Sequence, residues 1–107
     1  MQLFITDGYT LAKKIPAMHG IHPEVSVIYR PAVAKARIEL GIIASSGSAE
    51  RVFQYENDLL ASHVITLADQ KLTSALAGQL VPTLRGKILD LILGYAGSDE
   101  EESDAKN

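Results

Sequence analysis

The segment from Pro82 to Gly94 constrains this chain more than any other. Leu84, Ile88, Leu91, Ile92 and Tyr95 recur at i, i+4, i+7, i+8 and i+11, the period of one helix face. Pro82 has the pre-set φ and the missing N–H that suit a first helical position, and Gly94 and Gly97 supply left-handed stops. Such a stripe needs cover from the rest of the chain. The chain is 107 residues long, which is one domain's worth, and 47% of it is apolar against 21% charged. A wholly disordered chain is excluded by that balance. No apolar run approaches the roughly 20 residues needed to span a bilayer. The longest, Ile88 to Ala96, is broken by Asp90 and Gly94.

Three further segments carry local signals. Val25-Ser26-Val27-Ile28-Tyr29 is β-branched and aromatic, with Val25, Val27 and Tyr29 on one face, and reads as a strand. Pro31 then opens a helix expected to end near Ala44, with Val33, Ala36, Leu40 and Ile43 along one seam. Ser48 is an N-cap for a second helix running to His63 or Val64, with Glu50 favourable in its first turn. Val64-Ile65-Thr66-Leu67 reads as a short strand, and Thr73 or Ser74 caps a brief helix over Ala75-Leu76-Ala77. At the start, Leu3-Phe4-Ile5 and Tyr9-Thr10-Leu11 flank an Asp7-Gly8 turn and suggest a small hairpin. Residues 12 to 23, punctuated by Pro16, Gly20 and Pro23, read as an irregular connection. The expected fold is therefore α+β: a small N-terminal antiparallel β element followed by a three- to four-helix bundle. Residues 1 to 97 form the expected single domain and residues 98 to 107 a disordered acidic tail.

Charge and composition exclude several function classes. Ser98 to Asn107 holds Asp99, Glu100, Glu101, Glu102 and Asp104 against Lys106, whereas the body balances nine basic against eight acidic residues. So neutral a body has no footprint for a polyanion, and nucleic acid is not an expected partner. There is no cysteine, hence no disulfide, no thiolate nucleophile and no Cys-type zinc site. The N-terminus lacks a basic n-region and meets Asp7 early, so it does not read as a signal peptide. A cytoplasmic protein without a membrane partner is the expectation.

Candidate chemistry is sparse. His19-Gly20-Ile21-His22-Pro23-Glu24, with His63 as a distant third imidazole, has ligand types for a metal, but a Gly/Pro loop does not impose convergence. A solvated loop is the simpler reading. Asp58 and His63 are five apart on one helix, about 140° around it, too far to share a proton. Ser45, Ser46 and Ser48 have no base placed near them by spacing, and the Gly-x-Ser-x-Gly elbow is absent. No phosphate-cradling glycine pattern occurs. Arg30 reads as a side chain whose stem covers the sheet edge while its head stays wet. Neither catalysis nor a cofactor is expected.

The sharper signal is an apolar surplus. Ile38 and Ile42 on the first helix, and Leu89 and Leu93 on the last, lie beyond the principal stripes. A body of this size has little interior, so these four either close the core from a second side or bind another protein.

The layout resembles the small tail assembly chaperones of long-tailed bacteriophages and prophages. The resemblance runs from Val25-Ser26-Val27-Ile28-Tyr29-Arg30-Pro31 through residues 32 to 64 and Val64-Ile65-Thr66-Leu67. It closes with Leu80-Val81-Pro82-Thr83-Leu84-Arg85 leading into Ile88 to Tyr95. It implies a non-enzymatic protein that sleeves the long, helical tape-measure protein during virion assembly in the host cytoplasm. Its apolar helix surplus, at Ile38, Ile42, Leu89 and Leu93, would hold tape-measure helices in the helix-in-groove mode. The alternative from another class is a head–tail joining or tail-completion subunit that forms a ring. A His-loop metalloprotein is the third.

Overall fold

The computed structural model describes Ile5 and residues 8–95. It is an α+β fold in which three strands form one antiparallel sheet, in the order β1-β2-β3, with helices packed against it. The strands are β1 (Leu11–Ile15), β2 (Val25–Tyr29) and β3 (Val64–Leu67). The helices are α1 (Ala34–Ser45), α2 (Ala49–His63), α3 (Ser74–Ala77) and α4 (Pro82–Leu93). The sheet is not wholly N-terminal: its third strand follows α2 directly, with Val64 already extended at φ −83° and ψ 117°.

Strand β1 corrects the reading of residues 12 to 23 as irregular. Leu11 pairs with Tyr29, Lys13 with Val27 and Ile15 with Val25, so the strand begins where the expected hairpin strand was to end. The adjacent Lys13 and Lys14 hide the alternation, because Lys13 shares the inner face with Ile15 while Lys14 stands outside. The loop after β1 is ordered by a Met18–His22 bridge around Gly20, whose φ of 76° a side chain would resist. Leu3 and Phe4 of the expected hairpin, the Asp7 turn residue and the acidic segment 98–107 lie outside the described residues.

Val25, Val27 and Tyr29 of β2 are buried while Ser26 and Ile28 face outward, the pattern of a sheet covered on one side. The covered side joins Ile15, Val64, Leu59 and Leu60 to Ile88, Leu89, Ile92 and Leu93 of α4 in one core. Leu60, Ile88 and Ile92 are fully enclosed.

Local signals set most helix ends. Ser48 Oγ accepts from the Arg51 N–H at 3.2 Å and Thr73 Oγ1 from that of Leu76 at 3.2 Å, two N-caps. Helix α1, however, starts at Ala34 rather than Pro31. Val33 is still extended at φ −79° and ψ 165°, and the Ala32 N–H donates to the Ile92 carbonyl at 2.8 Å, which ties residue 32 to the end of α4. That bond belongs to a complete seal on the last four carbonyls of α4. Tyr95 N–H reaches Asp90 O at 2.8 Å and Gly94 N–H reaches Leu91 O at 3.3 Å, a Schellman arrangement with Gly94 at φ 85°. Arg37 of α1 donates through Nε to Leu93 O at 2.6 Å and stacks over the Tyr95 ring at 4.3 Å.

Candidate functional site

The surface that stands out is the outer face of α1. Of its twelve residues only Ala36 is buried, with Leu40 packed beside it. Each helical residue turns about 100°, so Ile38 and Ile42 lie about 200° and 240° around from Ala36, opposite the core seam. They are 64% and 66% exposed. Gly41 flanks them, about 140° around from Ala36, and a Cβ built there would meet nothing within 4 Å. Glycine in a helix interior costs roughly 1 kcal/mol relative to alanine. Among the described residues, no atom uses the space that glycine leaves.

The other two candidate positions part company with these. Leu89 and Leu93 are only 8% and 5% exposed and belong to the core. The reason is geometric: the apolar residues of α4 span about 200° of its circumference, and α2 and α1 both pack against it. Leu89 and Leu93 close the core from its second side and are not part of an exposed face. Val33, expected on the inner seam of α1, is instead exposed just before the helix.

The charged residue inside that wide arc is Arg85. It forms an ion pair with Glu56 at 3.2 Å, donates to Asn57 Oδ1 at 2.7 Å and lies over the Phe53 ring at 4.8 Å. Both Asn57 and the Arg85 side chain are largely buried, so the cluster fastens α4 to α2. A phenol–carboxylate contact links α1 to α2 in the same way. Burial, with Glu39 beside it, pushes the Tyr55 hydroxyl above its ordinary pKa.

The residues with chemical potential are placed as follows. Ser45 and Ser46 donate to the Gly41 and Ile43 carbonyls at 2.8 and 2.6 Å, and Ser48 caps α2, so all three serve helix ends. Asp58 accepts from Gln54 and from Ser74 rather than from a histidine. Arg30 is exposed, and its N–H bonds the His63 carbonyl at 2.7 Å. Partial burial lowers the His63 pKa from 6.5; its ring contact to Leu59 O opposes that shift and the nearby Arg30 charge adds to it. Among the described residues no three His, Asp or Glu side chains converge on a metal position.

His22 is not the solvated loop residue that its neighbours suggest. It is 6% exposed. Its Nδ1 is 2.8 Å from the Pro23 carbonyl, which can only accept, so Nδ1 carries the proton. Nε2 then offers a lone pair to the Lys87 ammonium at 3.2 Å. Beside this pair a groove of about 340 Å³ runs between residues 13–18 and the Lys87–Leu91 turn of α4. Sequence reasoning passed over it because Lys87 lies 65 residues from His22, and no local spacing links the two.

No protein-family model, no curated protein and no solved structure matches this chain. Among the described residues no helix is long and apolar enough to cross a membrane.

Proposed function

We propose that this chain is a non-enzymatic protein-binding module that docks a helical segment of another protein on the outer face of α1. Its role is that of a tail assembly chaperone, with the tape-measure protein of a phage or prophage as the partner. The observation that carries the reading is the exposure of Ile38 and Ile42, neighbours at i and i+4, with an open Gly41 beside them. Two large apolar side chains flanked by a bare backbone offer a partner helix both a ridge and close approach. The hydroxyls of Ser45, Ser46 and Ser48 support it indirectly, since each of these three is committed to a helix end.

Co-expression with the tape-measure protein tests this. Ile38→Asp/Ile42→Asp retains its circular dichroism and loses the captured partner if the reading holds. Equal capture by the folded double variant contradicts it.

A further inference from the structure

The geometry points to a modification site: Lys87 accepts acyl groups from uncharged thioesters, with His22 as the base that takes its proton. The site is separate from the α1 face and does not depend on it.

The contact between the two side chains carries the inference. Nε2 of His22 and Nζ of Lys87 are 3.2 Å apart. Two basic nitrogens make a hydrogen bond only when one of them lacks its proton, so this pair shares a single proton between the two atoms. The Pro23 carbonyl, 2.8 Å from Nδ1, fixes the imidazole with its other nitrogen turned toward the amine. An amine, a base within hydrogen-bond reach of it and a third group orienting the base are the parts of an activated nucleophile. A lysine ammonium ordinarily faces water or a carboxylate. Among the described residues Lys87 forms no ion pair, although Asp90 lines the same groove.

The groove decides which acyl donor suits the amine. Lys87 is half-buried and lines it together with Ile15, Met18 and Leu91, so a small reagent can reach Nζ. Lys14 stands on the outer face of the sheet and Lys13 has a partner of its own, so no second cation is at hand to hold a phosphate. An uncharged thioester therefore suits the site better than an acyl phosphate. In the step the Nζ–C bond forms and the C–S bond breaks. Of the three ammonium protons, one stays on the amide nitrogen, one leaves on the thiol and one passes through Nε2 to water. Nothing is oxidised or reduced. The amide is not turned over, so the step modifies the chain and is not a catalytic activity. It removes the single cation that α4 contributes to the groove and leaves Asp90 there.

The test is incubation of the whole chain with the acetyl thioester of N-acetylcysteamine, followed by peptide mapping in a mass spectrometer. Lys87 is expected to be acetylated about tenfold faster than the exposed Lys35 and Lys71. In His22→Gln that advantage disappears, while the rates at Lys35 and Lys71 stay as they were. Loosening of the loop alone would expose Lys87 further and raise its rate, so a fall separates loss of the base from loss of packing. Acetylation of Lys87 no faster than that of Lys35 in the parent chain overturns the proposal, whatever the variant does. An undiminished rate in a His22→Gln chain with a dispersed amide spectrum also overturns it. So does a Lys87 advantage seen with acetyl phosphate but not with the thioester.

Discussion

Helices α1 and α4 are both twelve residues long and both rich in aliphatic side chains, yet α1 buries one residue and α4 buries five. What differs is the arrangement. In α4 the aliphatics occupy one continuous sector, interrupted only by Arg85, whose two Nη atoms reach Glu56 and Asn57 while its buried Nε has no partner among the described residues. In α1 they are dealt to opposite sides: Ala36, Leu40 and Ile43 on one, Ile38 and Ile42 on the other. Apolar content alone therefore does not say how much of a helix becomes core. A helix folded along one edge of a small body keeps a second face that the body cannot cover.

The largest expected contrast comes from truncating one isoleucine on each helix. Ile92→Ala, at a fully enclosed site, is expected to cost about 3–4 kcal/mol in urea unfolding, through lost burial and the cavity left behind. Ile42→Ala should change stability by about 0.5 kcal/mol or less. Equal losses at the two sites would erase the distinction between the helices.

Arg85 sharpens the α4 side. Arg85→Met leaves the Glu56 carboxylate and the buried Asn57 amide without their donor, at a cost of about 2–3 kcal/mol. Adding Glu56→Gln should recover part of that loss. If it recovers none, the cation–aromatic contact with Phe53 outweighs the ion pair.

The joint between the helices is next. Gly94→Ala forces a side chain into φ 85° and places its Cβ 2.7 Å from Arg37 Nη2, so unfolding should show a loss of about 1–2 kcal/mol. In an Arg37→Ala background the clash disappears and only the backbone term should remain. Gly41→Ala, on the open face of α1, is expected to do the opposite and stabilise the chain by about 0.5–1 kcal/mol, read as a higher urea midpoint. The same substitution should weaken capture of the partner, because it fills the space that a docked helix would approach.

A titration lies outside both helices and serves as a control. The folded chain holds His63 below its ordinary pKa, chiefly by burial, so the unfolded chain takes up a proton there first. Stability is unaffected by His63 above pH 6.5 and declines as the pH falls below it. His63→Gln should flatten that part of the unfolding profile between pH 7 and 5. The Ile92 and Ile42 variants should keep it.

Elements bounded by local chemistry were legible in the sequence. Ser48 caps α2, Thr73 caps α3, and Pro82 and Gly94 bracket α4, because each acts on backbone groups within a few residues. What depended on distant partners was not. Strand β1 was hidden by its two lysines, and its identity comes from pairing with Val25 to Tyr29. The start of α1 lies later than Pro31 because Val33 is extended where residue 32 is tied to the Ile92 carbonyl at the end of α4. Leu89 and Leu93 looked surplus because nothing local reveals that α4 is covered from two directions. Ile38 and Ile42 were visible as extra apolar positions, but only three-dimensional placement separates an uncovered face from a second core seam. The His22–Lys87 pair had no local signature at all.

The most direct test is equilibrium urea unfolding of Ile38→Gln/Ile42→Gln, since glutamine keeps the helix propensity and removes only the apolar surface. The account predicts a stability within about 0.5 kcal/mol of the parent and an unchanged denaturant slope. A loss of about 2 kcal/mol or more would show that these isoleucines are packed in the native molecule, and α1 would then have no free face to offer.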